Sequence, residues 1–166
     1  TLSSSSAASD VYKRQGSFKT SQTQKVRSII NTIADVSSPS WFEGRARLIE
    51  LPVHADERGN LLPIDFDELP FRPQRIFTVT NVPIGTIRGE HGHRKGQQLL
   101  ICLQGKIELM LRAGQEEINT ILFPSGPGLL LGSGVWCRQT YIALDSVLLV
   151  MASEKYDPAS YVNSWN

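Results

Sequence analysis

The sequence predicts an all-β fold, an antiparallel sandwich or barrel of the jelly-roll form. Short β-rich runs recur from Trp41 onward, turn-forming segments separate them, and no long helical pattern lies between them. The runs are ARLIEL, RIFTVT, QQLLICL, KIELMLR, INTILF, GLLLG and SVLLVMA. Many short strands at such spacing favour a β-sandwich or barrel, of which we expect the jelly roll.

The chain before Trp41 is more polar and lacks the recurring β-rich runs. Residues 1–15, TLSSSSAASDVYKRQ, are serine-rich and lack periodicity, so we interpret them as a non-native or disordered tail. Residues 16–40 form a polar extension or linker, which contains a possible short helix or is the remnant of an upstream part. The helical spacing rests on Val26, Ile29, Ile30 and Ile33. The predicted jelly-roll domain is therefore 41–166.

Individual runs predict individual elements. ICLQGKIELML is typical of a β-hairpin, with Gly105 in the turn. In the second half of that segment Ile107, Leu109 and Leu111 alternate with residues such as Glu108, as in a half-buried strand. The last segment, SEKYDPASYVNSWN, is polar, and we expect it to close the fold on the outside of the barrel.

Composition narrows the class of protein. Apolar residues make up 40% of the chain and charged residues 20%, which is ordinary for a globular domain. The formal net charge of +1 predicts no affinity for nucleic acid or membranes, so an anionic ligand must meet a local basic cluster. Cys102 and Cys137 suggest no disulfide framework, which predicts a reducing, cytoplasmic setting. We find neither a membrane-spanning run nor a signal-peptide core.

Two histidines, His91 and His93, stand one residue apart in RGEHGHRKGQQLLICLQG. Side chains at i and i+2 of an extended chain point to the same face, so both imidazoles project together. In a small barrel such a face can line a ligand site at the mouth. The pair could hold a metal, transfer protons, or lie on the surface beside a turn.

The metal interpretation lacks a full ligand set. Metal-binding cupins follow their H-x-H pair with a glutamate and supply a third histidine from a later strand. Here Gln98 stands near the glutamate position and Cys137 near the third histidine. Two imidazoles and a thiolate could hold zinc, yet no carboxylate serves iron or manganese. We therefore predict no metal, with Gln98 in the cavity wall or hydrogen-bonded to a histidine.

Proton transfer fits the residues better. Imidazole has an unperturbed pKa near physiological pH, so it can take a proton from an acidic carbon and return one. A carbon acid beside a ketone needs only a base, an acid and a group that stabilises the enolate. Arg88, three residues before His91, could place a positive charge near that oxygen or near a phosphate. This chemistry requires no cofactor.

The segment from Arg88 to Gly105 resembles the nucleotide-sugar 3,4-ketoisomerases, the WxcM-like group of the cupin and RmlC-like barrels. Three further segments resemble the family in the same order along the chain: DERGNLLPID, GLLLGSGVW and VLLVMASEKYDPASYV. The likeness covers the chain from about Arg47 to Val162. The resemblance implies an RmlC-like jelly-roll barrel.

It also implies a cofactor-free enzyme that isomerises a dTDP-4-keto-6-deoxyhexose to the 3-keto sugar through an enediol, in deoxysugar or surface-polysaccharide biosynthesis. By position, His91 becomes the residue that abstracts the proton. His93 becomes the residue that redelivers the proton or serves in orientation. Arg88 and Arg58 become candidates for contacts with the substrate's charged groups, although Arg58 could equally be a turn residue. Family members are homodimers, and we expect this chain to pair as well.

Several positions depart from the family pattern. Gly92 replaces an alanine between the histidines, and Glu90 replaces an aromatic residue but should point away from the site. Phe77 stands where relatives carry a tyrosine, so a phenolic donor is missing there. Cys137 replaces a histidine and either donates a proton or packs as a small apolar group. Trp136 could stack on the base or sugar, or lie in the core.

Three alternatives remain beside this function. A 3,5-epimerase would pair its histidine with an aspartate and use a tyrosine acid. A non-catalytic sugar-binding barrel would hold the nucleotide sugar without exchanging its protons. A metal-dependent oxygenase would carry stoichiometric metal. The sequence leaves open which keto-sugar is used and the stereochemistry of the product at C4.

Overall fold

A computed structural model describes residues 38–163, which form thirteen short strands and two 3₁₀ turns, so the prediction of an all-β fold is confirmed. The strands are β1 Ser40–Trp41, β2 Ala46–Ile49, β3 His54–Asp56, β4 Gly59–Leu61, β5 Arg75–Val79, β6 Ile87–His93, β7 Gln98–Gln104, β8 Ile107–Ala113, β9 Glu116–Leu122, β10 Gly128–Leu131, β11 Trp136–Tyr141, β12 Val147–Ala152 and β13 Tyr161–Val162. The 3₁₀ turns are Phe66–Glu68 and Pro158–Ser160. The predicted tail at 1–15 and the possible helix after it lie outside the described residues.

Two antiparallel sheets form the body of the fold. One has six strands in the order β1-β2-β10-β7-β12-β5, and the other has five in the order β13-β6-β11-β8-β9. A separate hairpin joins β3 to β4. Strands that follow one another in sequence often fall in different sheets, as in a jelly roll. Within residues 38–163 no helix is long and apolar enough to cross a membrane.

The predicted hairpin between β7 and β8 is wrong. β7 pairs with β10 and β12 in the six-stranded sheet, whereas β8 pairs with β9 and β11 in the five-stranded sheet. Gly105 does turn the chain, with φ of 77°, but it carries the chain from one sheet to the other. A Cβ there would lie 2.3 Å from Oγ of Ser146, so the tight packing also favours glycine. A local turn signal does not reveal which strands pair.

The main core lies between the two sheets. The predicted alternation in β8 is confirmed, because Ile107, Leu109 and Leu111 are fully buried while Glu108 is exposed. These side chains meet apolar residues of the six-stranded sheet across the interior. The latter include Leu100, Cys102, Leu129, Leu131, Leu148 and Val150. Alternation in the strands of both sheets therefore builds a single apolar centre.

β7 is buried on both of its faces. Leu100 and Cys102 enter the main core, whereas Leu99 and Ile101 join a second cluster with Met151 on the outer face of the same sheet. The segments after β2 and β4 cover this outer cluster with Leu51, Leu62, Ile64, Leu69 and Phe71. Two-sided burial explains why the sequence of β7 is a continuous apolar run and does not alternate.

Candidate active site

A β-bulge shapes the strand that carries both histidines. Cys137 of β11 lies opposite His91, but the next residue, Arg138, lies opposite Gly89, so Glu90 is an extra residue in β6. Gly89 and Glu90 both have left-handed backbone angles, with φ of 77° and 59°. On the outside, Glu90 Oε1 accepts a 3.1 Å hydrogen bond from Nε of Arg138, so Glu90 points away from the site as expected.

The bulge turns Arg88 toward the same face as His91. Beyond the bulge Arg88 lies opposite Gln139, which is two residues from Cys137 on β11 and shares its inward direction. Tyr141 comes next on that face; it is fully buried and donates a hydrogen bond to Oε1 of Gln139. Burial raises the pKa of Tyr141 to about 12, although the positive charge of Arg88 acts in the opposite direction. Arg88 therefore lies on the same side of the sheet as His91, where its side chain is exposed.

His91 has a defined tautomer. Its Nδ1 lies 2.9 Å from the backbone carbonyl oxygen of Gly89. A carbonyl can only accept, so Nδ1 carries a proton, and in the neutral form of the ring Nε2 keeps its lone pair. The same bulge that redirects Arg88 supplies this carbonyl. An imidazole with an unprotonated Nε2 in a cleft is suited to act as a base.

His93 lies beside His91 at the end of β6. Their ring centroids are 5.2 Å apart, and the planes are nearly perpendicular at 87°. Nε2 of His93 lies 2.9 Å from Nε2 of the Gln98 side chain at the start of β7. Burial, then the neighbouring charges of His91 and Arg75, lower the pKa of His93 to about 4. His93 is therefore neutral at physiological pH.

Tyr161 completes the group of rings, and the sequence analysis did not single it out. Its ring lies 4.5 Å from that of His91 and 4.9 Å from that of His93. It stands on β13, which pairs with the end of β6 so that Tyr161 lies opposite His93. The expectation that the last segment closes the outside of the barrel is therefore wrong at this point. The available signal was the closing motif of the resemblance, VLLVMASEKYDPASYV, which contains this tyrosine as its last residue but one.

These side chains line one open cleft. It encloses about 670 Å³ of space when the open region at its mouth is included. His91, His93 and Gln98 lie on its walls with Tyr161. The charged residues around the cleft are Arg75, Lys95, Glu154, Lys155 and Asp157.

Basic groups outnumber acidic ones around the cleft. Lys95 lies 4.0 Å from Glu154 and 3.8 Å from Asp157, so it faces both carboxylates. Arg75 instead stacks on rings, 4.4 Å from the centroid of Phe77 and 4.8 Å from that of Tyr156. Stacking leaves the edge of a guanidinium able to donate hydrogen bonds to an anion. The cleft therefore suits a ligand with a negatively charged part.

Cys137 lies in the cleft wall opposite His91 and is 6% exposed. Burial raises the pKa of its thiol to about 12, so the group stays protonated and packs as an apolar side chain. Among residues 38–163, no three histidine, cysteine, aspartate or glutamate side chains come close enough to share a metal ion. Gln98, which stands near the glutamate position of metal cupins, is instead hydrogen-bonded to His93.

Two predicted substrate-binding residues lie away from the cleft. Arg58 is in the turn of the β3–β4 hairpin, is largely exposed, and donates from Nε to Oδ2 of Asp56 at 3.0 Å. Trp136 points to the outer face of the five-stranded sheet, where its ring lies between Arg112 and Arg138 at 5.7 and 5.5 Å. The structure brings His91, His93 and Gln98 together in one cleft and places Arg88 on the same side of the sheet, but it leaves these two apart.

The fold and the site together define a class of protein. A small antiparallel jelly roll whose interior carries paired histidines, an arginine and a basic mouth is a barrel of the cupin or RmlC-like kind. One solved structure of this class, a dTDP-4-dehydrorhamnose 3,5-epimerase from Bacillus anthracis, has a TM-score of 0.66 over 75% of this chain and 81% of that chain. At 16% identity this similarity concerns the fold alone.

Within that class the chain belongs to the family described as FdtA, WxcM-like, C-terminal, whose match spans residues 44–166. A TDP-4-oxo-6-deoxy-alpha-D-glucose-3,4-oxoisomerase from Aneurinibacillus thermoaerophilus is 30% identical over 112 residues, 67% of this chain and 81% of that protein. The resemblance inferred from the four sequence motifs is confirmed, and the predicted enzyme class is that of this relative.

Solved structures of similar proteins include the sugar 3,4-ketoisomerase QdtA from Thermoanaerobacterium thermosaccharolyticum in complex with TDP. It has 35% identity and a TM-score of 0.70 over 73% of this chain and 89% of that chain. A histidine-to-asparagine variant of QdtA was solved with TDP-4-keto-6-deoxyglucose. The WlaRB TDP-quinovose 3,4-ketoisomerase from Campylobacter jejuni has 27% identity and a TM-score of 0.67, over 72% and 92% of the two chains.

Proposed function

We propose that this protein is a nucleotide-sugar 3,4-ketoisomerase that converts a dTDP-4-keto-6-deoxyhexose to the 3-keto sugar, in deoxysugar or surface-polysaccharide biosynthesis. The observation that carries the proposal is the placement of two imidazoles, His91 and His93, in one cleft, with Arg88 on the same side of the five-stranded sheet. The family and the relatives named above support the substrate class.

The reaction needs two proton transfers at carbon and one between oxygens. Nε2 of His91 takes the proton from C3, and the electron pair moves to the C4 carbonyl oxygen to give an enediol. A proton then returns to C4, and the hydroxyl proton of O3 passes to O4 as the C3 carbonyl forms. No electron or proton is gained or lost overall. His93 redelivers a proton or orients the enediol.

Charged groups stabilise the anionic parts of the substrate. Arg88 shares the inward face with His91 and supplies positive charge where the enediolate oxygen develops. Arg75 and Lys155 at the mouth of the cleft suit the diphosphate of the nucleotide. Arg58 and Trp136 stay candidates for substrate contact only if the binding arrangement extends beyond this cleft.

The chemistry requires no cofactor. Deprotonation beside a ketone is within the reach of an imidazole base when a nearby charge stabilises the enolate. The groups in contact with His93 are the neutral amide of Gln98 and the ring of Tyr161, whereas the carboxylates of the cleft, Glu154 and Asp157, face Lys95.

The test is proton NMR of the protein with dTDP-4-keto-6-deoxyglucose in deuterated water. We expect a 3-keto product, with deuterium incorporated at C3 or C4 alone. Deuterium at C3 and C5 would instead support a 3,5-epimerase. Binding without exchange at any carbon, across a panel of nucleotide sugars, would support a non-catalytic sugar-binding barrel.

We also propose that the chain forms a homodimer. Strand β5 lies at the edge of the six-stranded sheet, where its backbone can pair with another strand, and Ile76 on that strand is 51% exposed. Sedimentation velocity tests this: a single species of one chain's mass at micromolar concentration would contradict it.

A further inference from the structure

The hydrogen bond between Gln98 and His93 determines which ring nitrogen carries the proton. The atom of Gln98 that lies 2.9 Å from Nε2 of His93 is the amide nitrogen, which can only donate. Nε2 of His93 must therefore accept, and the proton of the neutral ring is on Nδ1. His91 also carries its proton on Nδ1, but through a backbone carbonyl and not through a side chain.

Tyr161 restricts the orientation of the same ring. Its ring packs against His93 at 4.9 Å with a 47° angle, and edge-on against His91 at 4.5 Å and 84°. Its backbone is held in place because it pairs with His93 across β13 and β6. The preceding 3₁₀ turn is capped by Asp157, whose Oδ1 accepts from the backbone N–H of Ala159 at 3.0 Å.

The surroundings of His93 oppose a second proton on the ring. The amide protons of Gln98 face Nε2, and Arg75 contributes positive charge from β5. An imidazolium at this position would have to lose the bond from the Gln98 nitrogen or turn the Gln98 amide over so that its oxygen accepts, because both ring nitrogens then donate.

We propose that Gln98 and Tyr161 are positioning residues that hold His93 as a neutral Nδ1–H imidazole, so that His93 serves the substrate as a hydrogen-bond donor and not as a cationic acid. The inference rests on the proposed function for the identity of the acceptor, the oxygen that carries the charge of the enediolate. It assigns His93 to orientation and charge stabilisation, and leaves both carbon-bound proton transfers to His91.

The direct test is ¹⁵N NMR of protein labelled in its histidine rings, without substrate at neutral pH. The chain has three histidines, so a His54→Gln and a His91→Asn variant assign the spectrum. We expect a protonated Nδ1 and an unprotonated Nε2 for His93. A protonated Nε2 in the wild-type protein, alone or together with Nδ1, would overturn the proposal.

Variants separate positioning from simple packing. Gln98→Glu keeps the size of the side chain but replaces donors by acceptors, so we expect it to move the His93 proton to Nε2 or to give an imidazolium. Turnover should fall by about tenfold to a hundredfold in kcat with little change in KM, since the substrate still binds but meets a misplaced donor. Gln104→Glu, at the exposed far end of β7, makes the same chemical change outside the cleft and should leave both readouts unchanged.

For Tyr161 the ring is expected to matter more than the hydroxyl. Tyr161→Phe should keep the His93 tautomer, whereas Tyr161→Leu should broaden the His93 signals and lower kcat. Equal behaviour of the Leu variant and the wild type would remove Tyr161 from the proposal. The NMR experiment needs no substrate, so an absence of ketoisomerase turnover beside an Nδ1–H signal would count against the proposed function and not against the tautomer.

Discussion

Arg88 and His91 face the same side of the five-stranded sheet although three positions separate them along β6. On a regular strand an odd separation would put them on opposite faces. Because Glu90 is an extra residue without a partner in β11, Arg88 and His91 lie on the same face after all. The left-handed backbone of Gly89 makes this bulge possible. The bulge also brings the carbonyl of Gly89 to His91. One local irregularity thus assembles the base and the cationic group.

The bulge makes Gly89 the most sensitive glycine of the site. Its φ is 77°, and a Cβ would lie 2.8 Å from the carbonyl oxygen of Cys137. For Gly89→Ala we expect the free energy of unfolding to fall by about 1–3 kcal/mol and kcat to fall by roughly a hundredfold. Gly85→Ala is the control, since φ there is 82° but nothing lies within 4 Å of the added Cβ. It should lose stability and keep activity; equal activity losses in both variants would contradict this role for the bulge.

Substitutions should distinguish the roles of His91 and His93. His91→Asn removes the base, so we expect turnover in the coupled NMR assay to fall by about 10²–10⁴-fold. His93→Asn should also lose turnover, but deuterium exchange at C3 should persist more than in the His91 variant. His54→Asn, on the exposed strand β3, is the control and should behave as wild type. Full turnover in both cleft variants would refute the acid–base assignment.

Stability should depend on pH through His93. Its pKa falls from 6.5 to about 4 on folding, so between these values the unfolded chain binds the extra proton and the folded chain does not. This contribution to stability is therefore fully present above about pH 6.5 and is lost as the pH falls toward 4. Urea titrations across this pH window should show a smaller decrease in the free energy of unfolding for His93→Asn than for the wild type. Identical slopes would mean that His93 titrates normally in the folded state.

Gly92 is a second glycine of β6 at which an added methyl group would be too close to the backbone. A Cβ on Gly92 would lie 2.8 Å from the carbonyl oxygen of Val135, so the alanine that the family resemblance implies at this position does not fit this backbone without a shift. We expect Gly92→Ala to lower the free energy of unfolding by about 1–3 kcal/mol. Chemical denaturation measures the free energy of unfolding. A variant as stable as the wild type would show that the backbone of β6 shifts without loss of stability.

Removal of metal should have no effect on turnover. Among residues 38–163 no three histidine, cysteine, aspartate or glutamate side chains come close enough to share a metal ion, and Cys137 is a buried, protonated thiol. Protein dialysed against EDTA should therefore keep its kcat, and metal analysis should find far less than one ion per chain. Stoichiometric zinc or iron whose removal abolishes turnover would refute the cofactor-free mechanism.

Much of the site was predictable because its determinants are local. Two residues at i and i+2 of a strand share a face whatever the rest of the fold, so the pairing of His91 with His93 followed from the sequence. The same holds for the buried alternation of β8. The orientation of Glu90 also agreed with expectation, although its reason is a bulge that the sequence analysis did not predict.

Other parts depended on pairings between strands far apart in the chain. The hairpin predicted around Gly105 failed because β7 and β8 each pair with strands that the local pattern does not specify. Tyr161 was missed as a site residue for the same reason, since only the pairing of β13 with β6 brings it to His93. Trp136 was assigned to the substrate, but it alternates to the outer face because its neighbour Cys137 points inward.

The sequence by itself determined the all-β class, the family, and the side chains that can move protons, since periodicity and residue chemistry are properties of short segments. The tertiary structure decided what each of these side chains meets. The proton of His93 is on Nδ1 because Gln98, on a strand of the other sheet, donates to Nε2. Arg88 lies on the His91 side of its sheet because Glu90 has no partner residue in β11. Hydrogen-bond partners depend on distances across the fold, which local sequence patterns do not record.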